Sequence, residues 1–271
     1  VDLKTPDYLD NDGVAKDQYT GSIPVAGQGT FGDAEGGLKG GAKYYDNIEA
    51  DNTQGLDPGC YTDAINLLAN KDDFNYNIIT APGLIYSDDS SALNLIMDNT
   101  SNRGDAIVIA DMVYWGNTIK GVIGQAASID SSYTSTYWPW CQISDPSTGQ
   151  LAWVPASTLM PGVYAANDAA AETWFAPAGI NRGGLGVVRR AERKLTQSNR
   201  DELYVGKVNP IATFPGRGVV VFGQKTLQTK ASALDRVNVR RLLISLKSFI
   251  TQVADNLVFE QNTAATRNNF L

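Results

Sequence analysis

The 271-residue sequence contains no histidine. This absence excludes a Ser-His-Asp or Cys-His catalytic triad and any metal site that needs an imidazole ligand. The G-x-S-x-G turn that presents a nucleophilic serine is missing as well. Together these absences indicate that the protein is not an enzyme.

Cysteines and long apolar runs are also scarce. Cys60 and Cys141 lie 81 positions apart, a spacing that suggests neither a disulfide framework nor a zinc site, so we expect two buried thiols in a reducing cytoplasm. The longest purely apolar run is "AIVIA" at 106–110, far too short to cross a bilayer, and "VVVF" at 219–222 is shorter still. The chain begins without a signal-like leader and ends at "NNFL" inside what reads as a continuing element, and we interpret it as a fragment of a longer protein.

Near-matches to ligand-binding motifs fail in their details. "GVVVFGQKT" at 218–226 resembles a phosphate loop, but Gln224 separates Gly223 from Lys225 and the apolar spacer reads as a strand. "DYLDNDG" at 7–13 has acidic residues without the register of an EF-hand. The sequence therefore predicts no cofactor and no metal.

Charge is distributed unevenly along the chain. Residues 1–180 carry 7 basic and 23 acidic side chains, a net charge of −16, whereas residues 181–271 carry 15 and 6, a net charge of +9. Such asymmetry is typical of a nucleic-acid surface in the basic part. It is equally typical of a chain whose basic part contacts the acidic part of another copy, or another acidic partner.

Local patterns divide the chain into three parts. Residues 1–58 are rich in glycine and turn residues and predict an irregular, β-rich segment, the end of a protruding domain or a linker to it. Residues 59–180 alternate helix and strand patterns, which predicts parallel strands in an α/β layer; its helices are expected at 61–70, 91–99 and 118–128, and its strands at 76–83 and 105–111. Residues 181–271 predict a helix at Val187–Leu195, a strand at 218–227 and a long helix from about 234.

All five tryptophans lie between residues 115 and 174. Stacked Trp and Tyr rings can bind sugars, although large aromatic side chains more often fill a core or an interface. A carbohydrate-binding tail protein therefore stays open as one alternative, beside a nucleic-acid-binding protein that uses the basic part.

Four segments together resemble the tail sheath proteins of contractile bacteriophages: "MPGVYAANDAAAETWFAPAGINRG" (160–183), "NPIATFPGRGVVVFGQKTLQ" (209–228), "SALDRVNVRRLLISLKSFI" (232–250) and "FEQNT" (259–263). "YWPW" and the helix–strand pairs between 59 and 111 are similar to the same family, so the resemblance covers about residues 59–271.

The resemblance implies a structural subunit that polymerises as helically stacked rings around the tail tube and contracts to drive the tube through the host envelope. It implies a subtilisin-like α/β domain (59–180) and a truncated C-terminal α+β sheath domain (181–271). Because the α/β domain here lacks a catalytic triad, we expect it to be catalytically silent, including at the strand ends near Pro82 and Asp111. The implied partners are other sheath copies, the tail tube protein, the baseplate and the tail terminator, with no nucleic acid and no membrane insertion. The implied location is the virion tail, assembled in the bacterial cytoplasm.

The long helix has an unusual amino end. Arg236, Arg240 and Arg241 crowd its first turns, where the helix dipole favours negative charge. At 100° per residue a sector about 100° wide is entirely apolar, and we expect it to be the buried face; it comprises Val239, Leu242, Leu243, Leu246, Ile250, Val253 and Leu257. Ser232 and Asp235 resemble a capping box at its start.

The basic side chains of this helix predict an interaction site. Arg236, Arg240 and Lys247 form a stripe beside the apolar sector, and we expect them to face acidic residues of the tail tube or of a neighbouring subunit, so that an Arg236→Glu, Arg240→Glu variant would keep its fold. Arg241 points elsewhere and is expected to pair within its own domain.

In sheath proteins extended terminal arms add strands to a neighbour's sheet, and the sequence shows no such arm. We therefore expect the 271-residue chain to be a monomer at moderate salt despite its uneven charge. Light scattering measures this directly, and stable rings or filaments would contradict the expectation.

Overall fold

The computed structural model describes residues 59–145, 149–255 and 257–270. The β-rich segment expected at 1–58 lies outside these ranges. The chain divides into two compact units between Ala64 and Ile65, and of the first unit only residues 59–64, the beginning of a helix, are described. Apart from these first residues of α1, all that follows concerns the second unit, Ile65–Leu271.

The described residues form a mixed α/β fold, as the sequence predicts. Its helices are α1 (Gly59–Leu67), α2 (Tyr86–Arg103), α3 (Ile119–Ala127), α4 (Ala156–Ala170), α5 (Gln197–Val205), α6 (Val237–Asp255) and α7 (Ala264–Phe270). Its strands are β1 (Ile78–Ile85), β2 (Ile107–Asp111), β3 (Thr134–Ser135), β4 (Tyr137–Trp138), β5 (Cys141–Ser144), β6 (Leu151–Val154), β7 (Val188–Ala191), β8 (Asn209–Phe214) and β9 (Gly218–Val221). None of the described helices is long and apolar enough to cross a membrane.

The strands form three three-stranded sheets. β1, β2 and β3 pair in parallel, which confirms the pairing predicted from the alternation of helices and strands. A single residue, Thr136, separates β3 from β4, so the chain passes directly into the second sheet, β4-β8-β9. The third sheet, β6-β5-β7, is antiparallel.

Two apolar cores lie on opposite faces of β2, because alternate side chains of a strand point to opposite sides. Val108 and Ala110 share one core with buried residues of α2 and α3. Ile107 and Ile109 share the other with buried residues of α4 and α6. This arrangement explains why every residue of β2 is buried and why its sequence, "IVIAD", is apolar almost throughout.

One predicted helix is wrong. Val187–Leu195 contains the strand β7, which pairs antiparallel with β5, followed by a bend. The segment places Arg189 and Arg190 next to each other at the edge of a sheet, and backbone pairing with β5 outweighs its weak helical pattern. The boundary expected near residue 180 stays a prediction.

Cys141 is buried as a free thiol, and burial raises its pKa to about 12. The side chain of Cys60 lies outside the described part. The expectation of a buried thiol is therefore confirmed for Cys141.

Arg103, at the end of α2, organises the turn that leads into β1. Its buried guanidinium donates to the carbonyl oxygens of Leu68 (2.6 Å), Asn70 (3.1 Å) and Phe74 (2.7 Å), and it pairs with the carboxylate of Asp105 at 2.9 Å. A buried charge is tolerated only when its donors are satisfied, as these are. The turn at residues 68–76 is thereby fixed to the carboxyl end of α2.

Asp111 ends β2 and is buried against the amino end of α4. Its carboxylate accepts hydrogen bonds from the backbone N–H (3.1 Å) and the hydroxyl of Ser157. Burial raises the pKa of Asp111 to about 6 despite these two bonds, which favour the charged form. The carboxylate is thus committed to a structural contact between strand and helix.

The raised pKa of Asp111 makes stability depend on pH. The folded chain binds this proton more tightly than the unfolded chain, whose aspartate has a pKa of about 4, so the Asp111 contribution is fully present below pH 4. It is lost as the pH rises from about 4 to about 6, by at most about 3 kcal/mol. We expect Asp111→Asn to remove this component from the free energy of unfolding, measured by urea titration at several pH values and low protein concentration.

Asp98→Asn is the matched control, because Asp98 lies exposed on α2. This variant keeps Asp111, so it should also keep the loss of stability between pH 4 and 6. An Asp111→Asn profile that kept this loss as well would show that Asp111 does not titrate between pH 4 and 6.

Candidate functional site

The three sheets together with α2, α3 and α4 form the body of the fold, which we call the sandwich. The helix α6 packs on it with the face that carries arginines. Its buried residues are Val237, Arg240, Arg241 and Ile244. The apolar sector expected to be buried lies on nearly the opposite side of the helix, and Leu246 and Ile250 are 45% and 52% exposed. The predicted orientation of α6 is therefore wrong: its arginines face inward and its leucines outward.

Arg241 accounts for part of this orientation. Its guanidinium forms a two-pronged ion pair with Asp168 of α4, with nitrogen–oxygen distances of 2.9 and 2.5 Å. It also lies over the ring of Tyr164, which is hydrogen-bonded to Tyr137 between the hydroxyl oxygens at 2.6 Å. Arg241 was expected to pair within its own domain, 181–271, but its partner Asp168 belongs to the part assigned to the preceding domain, 59–180.

Arg240 is 7% exposed and makes its contacts within the chain. Its guanidinium donates to the backbone carbonyl of Ser132 at 3.3 Å and to the Ser132 hydroxyl, and it stacks over the ring of Tyr133 at 3.9 Å. Burial lowers the pKa of Arg240, because it removes water from the charged group. An Arg240→Glu variant would place a carboxylate against the Tyr133 ring, so we no longer expect it to leave the fold unchanged.

The other two residues of the predicted stripe are more accessible. Arg236 is half-buried, pairs with Asp235 at 3.3 Å and donates to the hydroxyl of Tyr204. Lys247 is exposed, with its ammonium group 3.5 Å from the carbonyl oxygen of Arg103. The intermolecular role of Arg236, Arg240 and Lys247 stays a prediction, and the structure leaves Lys247 the freest of the three.

The outward-facing apolar side chains of α6 and of the turn after it form a stripe, which we call the α6 face; it consists of the half-buried Val239, Leu242, Val253 and Leu257 and the exposed Leu243, Leu246 and Ile250, with the exposed Phe249 at its margin. Leu243, Leu246, Phe249 and Ile250 are all more than 40% exposed. A contiguous apolar stripe of this size on a surface marks a contact with another element or molecule. Lys247 and Arg236 flank it on one side.

The start of α6 follows the local chemistry that the sequence suggests. Ser232 caps a single 3-10 turn, Ala233–Asp235, by accepting a hydrogen bond from Leu234, and α6 begins two residues later at Val237. The side chain of Asp235 lies beside Arg236 and offsets part of the unfavourable charge at the helix amino end.

The tryptophans divide between core and surface. Trp138 is fully buried, and the Trp140 indole donates to the carbonyl of Val113 at 3.0 Å. Trp115 and Trp174 are 54% and 45% exposed. In the part of the chain that the structure describes, no three Cys, Asp or Glu side chains converge on a possible metal position.

Sequence reasoning missed that Arg240 and Arg241 are core residues. The signal that could have revealed their role is Asp168, which lies among small residues in "AANDAAA" and is the only carboxylate on α4. A lone acid on an otherwise apolar helix needs a cation when it is close to a core.

The orientation of α6 can be tested by stability. Ile244→Ala should lower the free energy of unfolding by about 2 to 5 kcal/mol, because Ile244 is buried. A Leu246→Gln, Ile250→Gln variant should change it by no more than about 0.5 kcal/mol, because both side chains already contact water. Urea unfolding followed by circular dichroism measures both values, and the reverse order would mean that the leucine face is packed inward.

Comparison with known proteins adds independent information. Residues 60–227 match the family model described as phage tail sheath protein central domain. The tail sheath protein of Vibrio phage KVP40 is 34% identical over 180 residues, which cover 62% of this chain and 26% of that protein. The tail sheath protein of Enterobacteria phage T4 is 39% identical over 162 residues, covering 60% of this chain and 25% of that protein. The chain thus spans about a quarter of the length of these relatives.

Solved structures share the fold. The sheath complex of the PVC extracellular contractile injection system in its contracted state superposes with a TM-score of 0.58 at 24% identity, over 72% of this chain and 52% of that chain. A sheath tail protein from Desulfitobacterium hafniense gives a TM-score of 0.53 at 14% identity, over 82% of this chain and 48% of that chain. Since the matched family region covers more than half of the chain and contains every described strand, the chain belongs to the phage tail sheath protein family.

Proposed function

We propose that this chain is part of a structural subunit of a contractile phage tail sheath. In this role copies of the subunit stack as helical rings around a tail tube, and their contraction drives the tube through the host envelope. The observation that carries the proposal is the family match, which extends through the whole α/β sandwich. The protein would then be a virion component assembled in the bacterial cytoplasm.

The finer description of the fold belongs to the same proposal. The layer formed by α1 to α4 with β1 to β4 is subtilisin-like in topology, and residues 181–271 belong to a C-terminal sheath domain. The layer is catalytically silent, since the sequence has no histidine and the acid at the end of β2, Asp111, is buried against Ser157.

The partners follow from the role. The subunit contacts other sheath copies, the tail tube, the baseplate and the tail terminator, and it neither binds nucleic acid nor enters a membrane. Two basic residues favour the sheath role over nucleic-acid binding. Arg240 and Arg241 are engaged within the chain, by Ser132 and Tyr133 and by Asp168 respectively, so their charges are not available to phosphates. The isolated chain is expected to remain monomeric at moderate salt.

The α6 face is the contact that we assign to the tube or to the adjacent subunit. Its apolar side chains provide burial, and Lys247 and Arg236 on its flank provide attraction to carboxylates. A single exposed ion pair contributes only about 0 to 1 kcal/mol. Many equivalent pairs along a tube together hold the subunits firmly in register, while each pair can still be broken individually.

Sheath assembly by the longer protein tests the role. We expect electron microscopy to show tubes of sheath-like diameter, and we expect an Arg236→Glu, Lys247→Glu variant to assemble on tail tubes more weakly, with the defect growing as salt is raised. Lys120→Glu is the matched control, because Lys120 is an exposed lysine on α3, away from α6. Absence of tubes from the unsubstituted protein would contradict the sheath role, whereas normal assembly of the double variant across a salt series would contradict only the assignment of α6.

A further inference from the structure

A second surface, separate from α6, combines exposed tryptophan with arginine. The rings of Trp115 and Trp153 lie 5.9 Å apart between centroids and are tilted by 47°. The guanidinium of Arg190 lies over the Trp153 ring at 5.2 Å. We call this surface the tryptophan patch and include in it the exposed Arg189 and Arg193.

The antiparallel sheet builds this patch. Gln142 on the central strand β5 is directly opposite Trp153 on β6 and Arg190 on β7, so the three side chains lie side by side on one face. Gln142 accepts a hydrogen bond from Arg190 Nε at 2.8 Å, which holds the guanidinium beside the indole ring. The patch is therefore set by strand register instead of by flexible side chains.

The loop that carries Trp115 is also fixed. Gly116 donates its backbone N–H to Glu192 at 2.7 Å, just beyond β7. On the other side, the Trp140 indole holds the carbonyl of Val113 at 3.0 Å. Trp115 is thus presented to solvent on an anchored loop, and holding an exposed indole in this way suits a contact with another molecule.

The arginines of the patch are not held in salt bridges within the described part of the chain, although the carboxylate of Glu192 interacts electrostatically with Arg193. Arg189, Arg190 and Arg193 form no ion pair with any carboxylate of the described ranges. Tryptophan and arginine are the side chains that most often dominate the free energy of a protein contact. The patch therefore fits an acidic protein surface that has an apolar centre.

Such a surface exists on the same chain. Asp72, Asp73 and Asp98 are exposed and form no salt bridge in the described part of the chain, and Leu67, at the end of α1, is 60% exposed. Arg103 ties their two supporting segments together by binding the carbonyl oxygens of Leu68 and Asn70. We call Leu67, Asp72, Asp73 and Asp98 the acidic patch.

The two patches lie at opposite ends of the strands of the parallel sheet. The turn at 70–74 leads into β1 and the end of α2 leads into β2, so the acidic patch lies at the amino ends of these strands. Trp115 follows the carboxyl end of β2. The two ends of a five-residue strand such as β2 are about 17 Å apart. One copy therefore cannot bring its own two patches into contact.

We propose that the tryptophan patch of one copy docks on the acidic patch of a second copy. The contact is head-to-tail, and contacts of this type generate rings or helical filaments because each copy keeps one free patch of each kind. The inference rests on the proposed sheath role, in which copies of the chain meet. A single contact of this kind is weak at moderate salt, so the isolated chain associates measurably only at low ionic strength and high concentration.

A charge exchange between the two patches tests the inference with the 271-residue chain. We expect sedimentation equilibrium at low ionic strength to show concentration-dependent association, with a blue shift of tryptophan emission as Trp115 becomes buried. An Arg189→Glu, Arg190→Glu variant and an Asp72→Lys, Asp73→Lys variant should each associate at least about tenfold more weakly. An equimolar mixture of the two should recover association to within about threefold, because every contact in it again joins opposite charges.

Two further variants separate the patch from general charge effects. Trp115→Ala should weaken association by about tenfold or more. Mixing Trp115→Ala with either charge variant should not restore association. Lys120→Glu, which changes an exposed lysine outside both patches, should leave association unchanged.

The inference is overturned if the chain stays monomeric at low salt up to about millimolar concentration, if the mixture does not recover, or if Trp115 emission responds to oligosaccharides and not to protein concentration. These outcomes leave the sheath role intact when the longer protein forms tubes. Association of the chain without tubes from the longer protein would instead count against the sheath role.

Discussion

The rest of the C-terminal part depends on the two guanidinium groups buried under the start of α6. Arg241 is satisfied by the carboxylate of Asp168, and Arg240 by the hydroxyl and carbonyl of Ser132 together with the Tyr133 ring. Removing water from a charged group is costly unless its donors are paired, so these partners determine which side of the helix meets the sandwich. Once that side is determined, the leucine side must face outward.

This arrangement explains why the fold could be predicted better than the surface. A helical wheel for α6 correctly separates an apolar side from a basic side, but it does not say which side faces the protein. The usual rule assigns the apolar side to the core, and here Asp168, which is 73 positions away in sequence, reverses it. Long-range ion pairs of this kind leave no local periodicity, so a single sequence does not reveal them.

The parallel sheet was predictable for the opposite reason. β2 is apolar almost throughout because it is covered on both faces, and α2 and α3 have compact helical patterns on either side of it. β7 was missed because a four-residue edge strand with two adjacent arginines has neither a clear alternation nor an apolar run. Its identity comes from pairing with β5, a contact across almost fifty residues. The tryptophan patch depends on that same pairing and was equally hidden.

The attachment of α6 gives it the mechanics of a cantilever. Arg240 and Arg241 clamp its first turns, the ammonium of Lys247 makes the last polar contact with the sandwich, and most side chains from Ser248 to Asp255 are exposed. About 12 Å of helix therefore extends past its supports. A load applied at the far end therefore produces a bending moment that falls on the two-pronged Arg241 contact and the stacked Arg240 contact, whose geometry is more specific than that of apolar packing. Because both clamps lie in the first two turns, a displacement of the far end of α6 is transmitted to Asp168 and Ser132 in the body of the fold.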